Sequence, residues 1–162
     1  MLEQIFTISF LTAFLTAAVR MAVPLIYAGL GETFLERTGI LNIGMEGVML
    51  GGALFSFAGA LLSGSLAVGL VCGMLGGLAV SAIHGFLCIN LSQNQSVSGI
   101  ALNIFMLGLT SFLYKILTAG QSYQDIETIP TMAIPVLSSI PLVGNAFFNQ
   151  DILTYLVYLL VI

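Results

Sequence analysis

Apolar residues in this chain come in continuous runs that do not alternate with polar ones: Ile5 to Leu30, about Ile43 to Leu62, about Leu66 to Leu91, and Val97 to Ala119. A helix of about 20 residues crosses a ~30 Å hydrocarbon core, and each run meets or approaches that length. The strands of a membrane barrel would alternate, apolar toward lipid and polar toward the lumen. The pattern therefore predicts an all-α protein, a polytopic transmembrane helix bundle forming a single domain over residues 1–162.

The runs are separated by polar punctuation, and the densest is Glu36 to Gly47, reading ERTGILNIGMEG. An ionisable group facing hydrocarbon costs at least a few kcal/mol, so its charges call for internal partners. Gly29, Gly31 and Glu32 are expected to loosen the first helix, and Asn42 to cap a second one beginning at Ile43. Glu46 then falls in its first turn, where the helix dipole favours a carboxylate. Pro24 removes the hydrogen bond to the carbonyl of Arg20 and predicts a kink there. Arg20 has two readings: snorkelling toward a headgroup, or pairing with an intramembrane acid such as Glu46. Gly47 and Gly51 form a G-x-x-x-G pair, and Gly69, Gly73 and Gly77 repeat every four residues. Both patterns predict close helix packing.

Beyond the fourth run, Gly120 to Gln150 carries Pro130, Pro135 and Pro141 with Asp125 and Glu127 and no lysine or arginine. It reads as an extramembrane loop, with an interfacial helix or re-entrant piece near Met132 to Val143. A last apolar run, from Ile152 to Ile162, gives only about 16 Å of helix, so the chain is expected to be an N-terminal fragment. The loop's lack of basic residues places it outside by the positive-inside rule, which puts the N-terminus outside and Arg37 on the cytoplasmic side. Lys115 fits this orientation poorly.

Composition agrees with the pattern. Hydrophobic residues make up 59% and charged ones 6%, against about 25% charged in a soluble domain. With 3 basic and 7 acidic residues there is no basic surface for nucleic acid. Cys72 and Cys88 lie about 24 Å apart on one helix, too far to bridge, and read as inert thiols. His84 is expected to be structural, a ligand or relay role being the alternative. Lys115 has no G-x-x-x-x-G-K-[ST] context, so no nucleotide-hydrolysing loop is present in this sequence. One histidine, two distant cysteines and no clustered carboxylates give no metal set by proximity in sequence.

The run Leu30 to Ala53, LGETFLERTGILNIGMEGVMLGGA, resembles the segment shared by permease subunits of ABC importers in the branched-chain amino acid and ribose permease superfamily. It is most similar to the nucleoside or simple-sugar branch, with Glu36, Arg37, Gly39, Asn42, Gly44, Glu46 and Gly47 on its pattern. The resemblance implies a plasma-membrane permease that pairs with a second permease and uses no cofactor of its own. ATP would bind a separate cytoplasmic subunit, and an extracytoplasmic solute-binding lipoprotein would deliver nucleosides or sugars. Two readings of the polar element stand. In one, Glu36, Arg37 and Glu46, with Arg20, pair and cap helix ends. In the other, Asn42, the backbone around Gly44, and Glu46 line the solute pathway with Asn103. A passive channel or a purely structural membrane subunit are the alternatives to transport driven by ATP.

Overall fold

A computed structural model of the chain describes residues 7–119, 128–140 and 143–161. Its first helix, α1, spans Ile8–Arg37, well past the end expected at Leu30. Gly29 and Gly31 stay helical, since a glycine inside a helix costs only about 1 kcal/mol against alanine. The stop is Gly39, held at φ +82°. Its N–H donates to the Glu36 carbonyl at 3.0 Å while the Ile40 N–H returns to the Leu35 carbonyl at 3.4 Å. Those two bonds are the Schellman helix end, in which a residue in the left-handed region turns the chain and satisfies the last carbonyls.

Residues 38–44 are non-helical, and α2 spans Met45–Ser63. Its N-cap is Gly44, with no side-chain hydrogen bond, so Asn42 does not cap it as the sequence suggests. The α3 helix, Leu66–Gly85, passes directly into a π-helical turn, Phe86–Asn90. Asn94 caps α4, Gln95–Thr118, by accepting from the N–H groups of Ser96 and Val97. Four helices, Ile8–Arg37, Met45–Ser63, Leu66–Asn90 and Gln95–Thr118, are long and apolar enough to cross a membrane. The protein is an all-α polytopic membrane protein.

The chain divides into two compact units, Gly31–Thr128 and Met1–Leu30 with Ile129–Ile162. In the first, α2 and α3 meet through small residues. A Cβ added at Gly69 would lie 2.8 Å from the Ala60 Cβ, and one at Gly73 would lie 2.8 Å from the Ser56 Cβ. Only glycine allows this approach. Gly77 is not in the tight contact, its nearest neighbour being Val48 Cγ1 at 3.8 Å, and Gly76 takes its place against Phe55. A step of four residues turns about 40° past a full helical turn, so a four-residue repeat walks off the contact line. Val80, Leu102 and Met106 form a buried core with Val48, Leu50 and Leu109 against it.

In the second unit, β1 (Thr131–Ala133) pairs antiparallel with β2 (Asn149–Asp151), Thr131 opposite Asp151. A 3-10 turn at Leu137–Ser139 and the short α5, Val143–Phe148, lie between them, and α6 follows as Ile152–Val161. Where an interfacial helix or a re-entrant piece is expected, near Met132 to Val143, the described residues hold a strand and a 3-10 turn. Pro130 and Pro135 flank that strand, and proline disfavours helix both at its own position and at the residue before it. Residues 120–127 and 141–142 of the expected loop lie outside the described residues. Asp151 starts α6, its Oδ1 accepting the Thr154 N–H at 2.9 Å.

Candidate functional site

A helix break between two apolar spans must find partners for its backbone, since each unsatisfied polar group costs several kcal/mol away from water. Side chains from α4 and from the end of α1 supply them. The Asn42 N–H donates to Glu32 Oε1 at 2.7 Å. The Gln95 amide accepts the Leu41 N–H at 2.8 Å and donates to the Gly39 carbonyl at 3.4 Å. Asn103 Nδ2 donates to the Ile43 carbonyl at 3.0 Å, and its Oδ1 accepts the Gly47 N–H at 2.7 Å. One amide thus clamps the last residues of the break and the first turn of α2.

The clamp works because the backbones touch. A Cβ at Gly99 of α4 would lie 2.7 Å from the Gly44 nitrogen, and one at Gly44 would lie 3.2 Å from the Gly99 Cα. Gly44 and Gly99 are both buried.

Two acceptors are left over. Asn42 is 6% exposed, and its Oδ1 has no hydrogen-bond partner; nor does the buried Glu32 Oε2. Buried acceptors without donors are uncommon and call for an explanation. Asn42 Oδ1 lies beside Gly44, whose added Cβ would be 3.1 Å from it, and Glu32 reaches the same break through its other oxygen. Acceptors of this kind suit a ligand that brings its own O–H or N–H donors.

Of the residues singled out by sequence, Asn42, Gly44 and Asn103 meet at this break. Glu46 lies in the first turn of α2 with its side chain exposed. Glu36 and Arg37 are also exposed, and among the described residues the side-chain hydrogen bonds to the backbone of the break come from Glu32, Gln95 and Asn103. Arg20 belongs to the other unit, where its Nε donates to Gln150 Oε1 at 3.2 Å. From the sequence, Glu32 has only a part in loosening the first helix and Gln95 has none. Glu32 could have been found as an acid next to a run of orphaned N–H groups, and Gln95 as an amide on the first residue of α4, facing that break.

His84 is buried at 2% exposure. Its Nε2 lies 3.6 Å from Cys88 Sγ, which also lies 3.3 Å from Ser98 Oγ. Cys72 and Cys88 are free thiols, both partly exposed. Among the described residues no group of three or more His, Cys, Asp or Glu could hold a metal.

Residues 14–162 match the family described as branched-chain amino acid transport system / permease component. The chain is similar to the putative glucose ABC transporter permease protein of Haloferax volcanii, with 41% identity over 157 residues, 94% of this chain and 46% of that one. The guanosine ABC transporter permease protein of Bacillus subtilis is 34% identical over 150 residues, 88% of this chain and 47% of that one. The nucleoside ABC transporter permease protein of Lactococcus lactis subsp. cremoris is 35% identical over 133 residues, 78% of this chain and 42% of that one. The chain spans less than half the length of these curated relatives. No solved structure matches it.

Proposed function

We propose, from the premise that this chain belongs to the family of branched-chain amino acid transport system permease components, that it forms part of the solute pathway of an ATP-driven importer for nucleosides or related simple sugars. The carrying observation is the pair of buried acceptors without donors at the break, Asn42 Oδ1 and Glu32 Oε2. Discontinuous helices at membrane depth present polar groups that can hold a solute. Ribose and hexose hydroxyls and the exocyclic amine of a purine bring the donors that these acceptors lack. The names of the relatives, glucose, guanosine and nucleoside permeases, support the same substrate class.

In this reading the permease sits in the plasma membrane beside a second, related permease. A separate cytoplasmic subunit hydrolyses ATP, and an extracytoplasmic lipoprotein delivers the solute. This chain binds and passes the solute without chemistry of its own.

The test is uptake by cells expressing the complete importer, using labelled guanosine, adenosine, ribose and glucose in mutual competition. Leucine is included, because the same acceptors would take an ammonium group. ATP-dependent uptake of a nucleoside or sugar is expected. Asn42→Ala and Glu32→Gln should each abolish it while the ATP-binding subunit still co-purifies. Wild-type uptake in both variants, or uptake of leucine alone, would overturn the assignment.

A further inference from the structure

The unit formed by Met1–Leu30 and Ile129–Ile162 carries a second polar surface, separate from the break. Along α1, Ser9, Thr12, Thr16 and Arg20 recur at steps of three and four, so they share one helical face. With Asn145 they line a cavity of about 680 Å³, and Ala13 and Ala17 keep its floor low. At ~1.5 Å per residue, Arg20 lies roughly 18 Å from one end of α1 and roughly 26 Å from the other. Its side chain is exposed on this face. An arginine within a spanning segment that turns toward protein or a water-filled cavity marks a polar pathway.

Arg20 is aimed from behind. Its Nε donates to Oε1 of Gln150 at 3.2 Å, and Gln150 is fully buried. The Gln150 amide is itself pinned, Nε2 donating to the Ala146 carbonyl at 2.6 Å. The Gln150 backbone N–H donates to Tyr155 Oη at 3.2 Å, and that hydroxyl donates to the Met132 carbonyl at 2.7 Å. Using Nε for this anchor leaves the two Nη groups, free among the described residues, for the groove. The threonines are arranged in the opposite sense. Thr12 Oγ1 donates to the Ile8 carbonyl and Thr16 Oγ1 to the Thr12 carbonyl, each at 2.8 Å. Their protons are spent on the helix, so toward the cavity these oxygens only accept.

The groove thus offers donors at Arg20, acceptors at Thr12 and Thr16, and both at Ser9 and Asn145. A hydroxyl group, which donates and accepts, matches that alternation along the helix face. Among the described residues no aromatic ring lines the cavity, and a sugar needs none to be held. We infer that this groove is a hydrated subsite for a neutral polyol, in which Arg20 with Thr12 and Thr16 holds the hydroxyls of a ribose or hexose ring. This rests on the importer reading above and assigns the sugar part of the solute to a place on α1.

The experiment uses cells expressing the complete importer and compares Arg20→Gln and the double variant Thr12→Val with Thr16→Val against wild type. The probes are labelled guanosine, 2′,3′-dideoxyguanosine, ribose and glucose. For an imported probe that keeps its hydroxyls, each variant should raise the half-saturating concentration roughly tenfold or more, the scale of one lost charge-assisted hydrogen bond. Dideoxyguanosine uptake, where present, should change little. A second arm places Thr16→Cys in a Cys72→Ser, Cys88→Ser background and treats it with a charged, membrane-impermeant methanethiosulfonate. Labelling is expected, and the imported sugar or nucleoside should slow it. Wild-type import of none of these probes would fell the importer reading and this subsite with it. Import that both variants leave unchanged, or a Thr16→Cys thiol that is unlabelled or unprotected, would overturn the subsite alone.

Discussion

Asn103 shows how much one side chain decides. Its amide satisfies an N–H and a carbonyl on opposite sides of the junction between break and helix, at Gly47 and Ile43. Asn103→Leu fills similar space but orphans both groups, at about 1–3 kcal/mol for each. Purified permease carrying it should unfold at a clearly lower temperature than wild type, and an unchanged midpoint would show that the clamp adds nothing. The importance of this residue was legible in the sequence as an amide inside an apolar run. Its partner was not, because the bond to Gly47 spans 56 positions and ends on a backbone N–H that no residue letter reveals. The charged residues of ERTGILNIGMEG drew attention to the right segment for the wrong reason. The break is held mainly by neutral amides and by Glu32, whereas Glu36, Arg37 and Glu46 face outward.

At the level of elements, two glycines eight positions apart behave in opposite ways. Gly31 is helical with nothing within 4 Å of an added Cβ, whereas Gly39 sits at φ +82°. Gly31→Ala should stabilise the permease by up to about 1 kcal/mol through helix propensity. Gly39→Ala should destabilise it by roughly 1–2 kcal/mol, the cost of forcing a Cβ into the left-handed region. Thermal midpoints that move in opposite directions check both. The contrast also explains the misplaced end of α1. Composition marks both glycines as breakers, but only the left-handed dihedral and its two return hydrogen bonds stop a helix. The apolar core of each span needed no such detail, since continuous hydrophobicity over about 20 residues already forces a helix in lipid. β1 and β2 were invisible for the converse reason: three-residue strands carry too short a pattern, and their pairing is fixed by chain return rather than by alternation.

Across the whole molecule, the four long apolar helices were readable from hydrophobic runs, but the division into two compact units was not. The glycine repeats of α2 and α3 foretold a close contact without identifying the partner or the departure of Gly77 from it. Gly73→Val tests that contact, because its Cβ would lie 2.8 Å from Ser56 Cβ and 3.1 Å from the Gly52 carbonyl oxygen. Relief requires the helices to part, and overpacking of this kind costs about 1–3 kcal/mol. The variant should melt earlier than wild type, whereas Gly77→Ala, with 3.8 Å of room, should melt at or slightly above it. The same contact sets how the protein can change shape. Where two helices touch backbone to backbone there is no layer of side chains to slide, so α2 and α3 turn together as one thick stave. Bending is left to the joint beyond it, residues 91–94.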